Sequence, residues 1–566
     1  PKEVAVIREE REKSKRLQAI IAKKVLEGSD NTDDSTMKAL DQYYDNVCLF
    51  EEHTWGADVK TWLGPERVYR KSEFIEAKQQ KNYKFMEKSW QEQKERADKA
   101  SSVSKDIKLQ IEKNSGKEIF FFNPNSAEFT GWVILEDQSI DYGTYSVQID
   151  GKLVPVTKIN GEWACFVQNI PPFTTVPLEL KEGAVSAHNL TINEEKEVAS
   201  IENHRYTLTF SKESGAILGL YDKHLNTMLL ENHKDQPIFT YQYDRYGIED
   251  VTSYLRDFAY RYSTWGIQDY GREAYPECDH KTYNPKFLSY SLEGNTITFL
   301  YEGTESVERY GDAKQVSIEI TLPPAGDEVF VRLNLNNKQE TPYIESGSFL
   351  FPFANAKNYR INKSNSVLDP EKEIQENANQ VFYCLENFIS AENDENGCCI
   401  ITKDAPLVSL GDTGVYKYRK EYRKPDKPIA YFNLFNNMWG TNFPQWIEGD
   451  FSYRFVIFGY EKSDSKSLHE KAAILQEGIE ITGNCLEKSV AVLPEHMQLI
   501  NVRKTDKGLV LRFKDLLGEK AVRKLQVPGY LINQIDLNNS IIGKESVDEV
   551  QFEVNSYGIY SFLLSK

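Results

Sequence analysis

The sequence predicts an α+β protein that is mainly β, a three-helix bundle followed by antiparallel β-sandwich domains. Three observations carry this. Over about the first hundred residues the apolar positions recur at helical spacing, and from about residue 105 the period shortens to two. Hairpin signals, Asp150-Gly151 and Asn160-Gly161, sit between apolar runs. Strand then follows strand without the helical stretches that a βαβ sheet requires.

The first helix is predicted over residues 1–28, with Leu17, Ile20, Ile21 and Val25 as its buried stripe and the charged run Arg8 to Arg16 as its solvated face. Gly28-Ser29-Asp30-Asn31 breaks it, and Asp33-Asp34-Ser35 offers N-cap oxygens to a second helix. There Met37, Leu40, Tyr44, Val47 and Phe50 recur at the spacing of one buried face, so the helix delivers His53 at its C-terminal mouth. Gly64-Pro65-Glu66 starts a third, running to about Lys99 with Phe74, Ile75, Tyr83, Met86 and Trp90 inside. Short connections make these an antiparallel bundle over 1–104.

A small β-sandwich is predicted over 105–200, opened by the strand Glu118 to Phe122 and its Asn123-Pro124 turn. A large sandwich over 201–484 holds strands near Tyr206 to Phe210, Phe287 to Leu292, Thr296 to Tyr301, Val316 to Leu322 and Val329 to Leu335. The last β domain, 485–566, ends with Val550, Phe552 and Val554 in alternation and then Tyr560 to Leu564. No internal repeat of fixed period stands out, and no low-complexity linker separates the parts.

Charge and composition narrow the partners. The 566 residues carry a formal charge of -18, the wrong sign for drawing in nucleic acid or an anionic membrane surface. No apolar run approaches the roughly 18 residues of a membrane span. Seven cysteines, odd in number and without a CxxC spacing, argue against a disulfide framework or a cysteine zinc module. Cys398-Cys399 before Ile400-Ile401 reads as buried strand. None of the eight histidines forms HxH or HExxH, and the single HxD, His233-Lys234-Asp235, falls in a polar run that reads as a solvated turn. Cys278-Asp279-His280 reads as a loop, because three consecutive residues do not converge on one ion in regular structure.

Two stretches hold the candidate site. In Glu51-Glu52-His53-Thr54-Trp55-Gly56 a histidine is flanked by carboxylates and a tryptophan; taken alone, a histidine at a helix end is most often a cap. Glu51 and Glu52 are placed to orient its ring, although adjacent glutamates on a helix are usually solvated. Further on, Tyr431 to Trp446 combines five amides with six aromatic residues, followed by Arg454. Rings stack on the C–H faces of sugars while amides pair with hydroxyls, and a core strand, the commoner explanation of aromatic density, rarely carries so many amides. Asn437, Trp439, Asn442 and Trp446 are the candidates to reach a sugar, together with Thr54 and Trp55 beside His53. Asp58 is a weaker candidate, and the tyrosine-rich segment Tyr241 to Tyr275 is either a glycan-facing loop or an aromatic core.

The order of these pieces resembles the middle and C-terminal regions of family 38 glycoside hydrolases, the zinc-dependent retaining α-mannosidases. The residues that carry the likeness are Glu51 to Gly56, Phe121-Phe122-Asn123-Pro124, Ile217 to Asp222 after Arg205, Phe349 to Phe353, and Asn436 to Pro444. The resemblance implies that the β region is a galactose-mutarotase-like super-sandwich and that the substrate is a carbohydrate, an α-mannoside. It implies a zinc ion held by a His-x-Asp pair and a nucleophilic Asp from an N-terminal catalytic domain, with His53 as the fourth ligand. Neither nucleophile nor acid/base is found among these residues, so the resemblance implies that this segment completes the pocket of a domain absent from it and is inactive alone. Pro1 in place of an initiator Met and a helix that starts at once support reading the chain as a fragment. The alternative is a non-catalytic carbohydrate-binding or scaffold protein with the same architecture. Thr54 departs from the Asp that many members place after this His.

Overall fold

A computed structural model describes residues 1–28, 34–64, 68, 70–113, 118–135, 142–149, 151–183, 190–233, 236–258, 279–486 and 491–566. The N-terminal helices are α1 (Lys2–Leu26), α2 (Asp34–Phe50), the short α3 (Val59–Trp62) and α4 (Lys71–Ala77), and the long α5 (Lys81–Glu112). The spacing had predicted one helix from Gly64 to about Lys99. Instead Gly64, at φ 42°, follows α3, and the end of α4 tightens into i→i+3 bonds from Gln79 N to Glu76 O (3.0 Å) and Gln80 N to Ala77 O (2.9 Å). Phe74 is buried in α4, whereas Ile75 on the same helix is exposed. Pro65 and Glu66 lie outside the described residues.

Part of the charged face expected to be solvated is engaged with the β region. Arg8 donates from Nε to Lys403 O (2.9 Å) and from Nη2 to Glu386 O (2.8 Å) and Thr402 O (2.9 Å), and Arg16 pairs with Glu480 at 2.7 Å. Amphipathic spacing marks what is apolar, and a long basic side chain can occupy a polar interface that spacing reads as water.

The remainder is antiparallel sheet. Strands Ile119–Asn123, Tyr145–Ile149, Lys152–Val154 and Thr174–Glu182 face a three-stranded sheet of Phe129–Ile134, Val156–Ile159 and Glu162–Ile170. Phe121, Phe129, Val147, Cys165 and Val176 fill the space between them. Glu480–Thr482 joins the first of these sheets beside Ile119–Asn123. Three further sheets enclose the largest core. One is the five strands from Thr191–Glu194 to Thr227–Glu231, and one is nine-stranded, centred on Val329–Lys338 and Gly449–Glu461. The third is six-stranded, in the order Lys281–Tyr283, Thr240–Arg245, Glu345–Pro352, Ile429–Asn436, Leu407–Leu410, Phe382–Cys384. Cys398 and Cys399 are buried in the strand Asn396–Thr402, and the six described cysteines are free.

The last sheet, Met497–Thr505 to Ile559–Ser565, shares one core with the helices: Ile20, Ile21, Leu40 and Tyr43 pack with Val502, Leu511 and Phe513. Gln18 Oε1 accepts the Val502 amide at 2.9 Å, so a buried polar side chain of α1 completes a strand 484 residues away. Among the described residues no helix is long and apolar enough to cross a membrane.

One ion pair lies fully inside the large sandwich. Lys338 Nζ is 2.8 Å from Glu345 Oε1 and donates to Ile447 O (2.9 Å), while Tyr243 Oη donates to Glu345 Oε2 (2.7 Å). Burial pushes the Glu345 carboxyl up to about 7 against the pull of Lys338. Such a carboxyl takes up a proton on folding, so its folded form gains stability as pH falls from about 7 towards the ordinary carboxyl range near 4.3. Lys338→Met therefore costs about 3–5 kcal/mol at about pH 8, by stranding a buried charge, and costs less at about pH 5, where Glu345 protonates. Urea midpoints at the two pH values read the difference.

Candidate functional site

The two stretches singled out by sequence meet. α2 stops at Phe50, so His53 stands three residues past the helix in an exposed loop and is not within its last turn. The Asn442 amide donates to the His53 carbonyl (3.1 Å), Val59 N donates to Thr441 O (2.6 Å), and Trp90 Nε1 donates to Asn442 O (3.1 Å). Gly56 is where the two loops touch. A Cβ there would lie 2.5 Å from Trp90 Cδ1 and 2.6 Å from Asn442 O, so no larger residue fits without moving backbone.

Trp446 inserts between α4 and α5. Its ring lies 5.1 Å from Phe74 and 4.8 Å from Trp90, edge to face, and stacks on Tyr83 at 5.7 Å, while its Nε1 donates to Glu87 (3.0 Å). The turn before it is held by buried amides. Asn437 Oδ1 accepts from Glu345 N (2.8 Å), and its Nδ2 donates to Tyr343 O (2.9 Å) and Gln445 O (2.7 Å). Gln445 donates to Trp439 O and Phe443 O.

Between bundle and sandwich this docking leaves a cavity of about 610 Å³. Its walls are largely apolar, from Val4 of α1, Phe50, Trp55, Leu407, Leu434, Phe435, Phe443, Ile447 and Phe451. Polar groups come from His53, Glu51, Glu52, Lys94, Asn433 and Asn436, with Trp439 and Phe443 exposed. Asn436 Nδ2 donates to Asn433 Oδ1 at 2.7 Å, which fixes the direction of both amides. The arrangement offers aromatic faces and amides to a polyhydroxylated, partly apolar ligand.

Of the candidates, His53, Trp55, Asn437, Trp439 and Trp446 line this cavity, and Thr54 and Asn442 do not. Thr54 folds back on Glu52, its N and Oγ1 donating to the carboxylate at 2.7 and 3.0 Å. Asn437 and Trp446 anchor the wall through the contacts above. Arg454, which followed the amide cluster in sequence, grips Asp404 (Nη2 to Oδ1 2.8 Å) and Glu9 (3.0 Å), tying strand to α1. Asp58 caps α3, accepting from Thr61 N at 2.7 Å. Sequence reasoning passed over Asn433 and Asn436, although both stood inside the amide-rich run; choosing them needed the strand end at Asn436.

The resemblance implied zinc, and the donor set can be tested against it. An exposed imidazole beside a cavity is a chemically suitable nitrogen donor. Among the described residues no three His, Cys, Asp or Glu side chains converge to hold a metal. His233 Nε2 contacts Phe353 O (2.8 Å), and Asp235, the other half of the HxD, lies outside the described residues. So do Cys278 and the segment 259–275.

A family described only as a domain of unknown function, DUF5054, matches residues 13–160. No curated protein matches. Among solved structures, an alpha-mannosidase from Enterococcus faecalis V583 superposes over 100% of this chain and 68% of its own, with a TM-score of 0.61 at 9% identity. A protein in the Glycosyl Hydrolase Family 38 from Enterococcus faecalis superposes over 100% of this chain and 71% of its own, with a TM-score of 0.59 at 10% identity. The chain thus shares the fold of these two structures from end to end.

Two substitutions test the docking. Gly56→Ala pushes the His53 loop off Trp90 and is expected to cost about 1–3 kcal/mol. Asn437→Ala strands the buried Glu345 amide and costs a similar amount, about 1–3 kcal/mol. Both are read from denaturation midpoints.

Proposed function

We propose that this chain is the helical and β portion of an α-mannosidase-like retaining glycoside hydrolase that acts on glycans. The observation that supports it is the convergence of His53, the exposed Trp439 and the Asn433 and Asn436 amides at one cavity, on a fold shared with two glycosidase structures. In this reading Trp439 and Trp55 stack on the sugar, the amides take its hydroxyls, and Thr54 and Asn442 act by holding Glu52 and the His53 loop in place. His53 is one ligand to zinc, which when bound polarises vicinal hydroxyls of a mannoside as a Lewis acid.

The nucleophile and the acid/base are assigned to an N-terminal catalytic domain. Four of the carboxylates on the cavity wall are already engaged, Asp404 by Arg454, Glu52 by Thr54, Asp450 by the Asn337 amide and Glu51 by Arg11, while Glu3 and Glu448 also line it. A retaining hydrolase instead requires two carboxyl groups about 5–5.5 Å apart and available to substrate.

The test is the protein expressed from its whole reading frame. It is expected to hold zinc and to cleave p-nitrophenyl α-D-mannoside with retention. His53→Ala should lower zinc affinity by more than the roughly 10–100-fold seen when only an outer partner of a metal ligand is lost, with folding unchanged. Trp439→Ala should raise KM about tenfold with little change in kcat. Unchanged zinc content in His53→Ala, or no α-mannoside cleavage by the whole protein, overturns the reading. Glycan binding without turnover selects the non-catalytic carbohydrate-binding or scaffold alternative.

A further inference from the structure

The six-stranded sheet has two unlike faces. In its register Tyr241 stands opposite Phe349 and Tyr243 opposite Gly347, and that side packs into the large core. The alternate positions put Gln242, Ser348 and Asn433 in one row across three strands, with Asp244 opposite Ser346 in the next. Asp244, Ser346 and Ser348 are all at most 1% exposed. A buried face of acid, amide and hydroxyl is costly unless polar partners meet it.

At one end of this face is a second cavity of about 670 Å³, whose walls include Gln236, Gln242, Asp244, His280, Thr282 and Tyr431. His280 bridges two carboxylates, with Nδ1 3.1 Å from Asp250 Oδ1 and Nε2 3.3 Å from Asp244 Oδ1. Hydrogen bonds to Asp244 and Asp250 raise the imidazole to about 9, so it is charged at neutral pH. Asp244 also accepts from Thr282 Oγ1 (2.6 Å) and Gln242 Nε2 (2.7 Å), and Gln236 Nε2 donates to Tyr431 Oη (3.0 Å). Lys427 contacts the Gln236 oxygen at 3.2 Å, and Asp412 is paired with Lys417 and Arg419.

Among the described residues His280 meets Asp244 and Asp250, Asp412 meets Lys417 and Arg419, and Lys427 is held by the Gln236 amide oxygen, which leaves directional hydrogen bonding as the main character of the wall. Aromatic and apolar groups, Phe239 and Tyr301 among them, complete the lining. We infer that this cavity is a second binding site for a neutral saccharide, built on the polar face of the sheet and separate from the cavity at His53. Its ligand is a polyhydroxylated sugar and not a phosphate or a sugar acid, because on the described lining the carboxylates Asp244 and Asp412 offset His280 and Lys427.

The experiment is saturation-transfer NMR and calorimetry on the chain, with D-mannose, D-galactose, D-glucose and their disaccharides as probes and inorganic phosphate and D-glucuronate as charged controls. Binding of a neutral sugar is expected to persist in Trp439→Ala and to weaken at least about tenfold in Asp244→Asn, Gln236→Ala and Tyr431→Phe. The last two are mild changes on the same wall and carry the test should Asp244→Asn fail to fold. No binding of any neutral probe, binding that vanishes with Trp439 alone, unaltered binding in the wall variants, or preference for the charged controls each overturns the inference. The mannosidase reading is scored separately, by zinc and turnover in His53→Ala.

Discussion

Two backbones meet at Gly56, and the geometry there governs the rest of the site. The loop after α2 comes against the Trp90 ring and the Asn442 carbonyl at distances that exclude even a methyl group. Three hydrogen bonds, to the His53 carbonyl, from Val59 and from Trp90, then hold the loop to the turn after the strand Ile429–Asn436. Were the loops free to separate, the imidazole and the amides would belong to different surfaces. Held together, they line one cavity.

The turn is itself anchored inward. Asn437 joins it to the Glu345 amide, and Glu345 pairs with Lys338, whose ammonium also takes the Ile447 carbonyl and lies over the Phe435 ring at 5.2 Å. Buried ion pairs seldom add much stability over apolar packing, but they penalise every arrangement that leaves one member alone. Here that penalty fixes the register of the cavity floor, since Phe435, Asn437 and Ile447 all line it.

Much of this was readable from sequence, for identifiable reasons. The change from helical to alternating period marked where helices give way to sheet, and the amide-rich aromatic run marked a wall of the cavity. Local pattern failed where partners come from afar. The run Arg8 to Arg16 looked like a face for water because its partners, the carbonyls near Lys403 and the Glu480 carboxylate, are hundreds of residues away. Asn437 was expected to reach a sugar, and its buried bonds to three backbone groups follow only from the folded turn. His280 was set aside because neighbours in sequence cannot converge on one point; its partners are Asp244 and Asp250, brought to it when Asp244 pairs with Thr282 across two antiparallel strands.

The shared core of α1 and the last sheet bears on how the molecule is made. Gln18 closes its bond to Val502 only after the 484 residues that separate them exist, and the cavity needs a comparable span between His53 and Asn442. Closure over such distances is entropically slow. The helix α1 must therefore wait, with an apolar stripe uncovered, until the strands from Met497 onward have been made, and in that interval its exposed surface is open to misassociation.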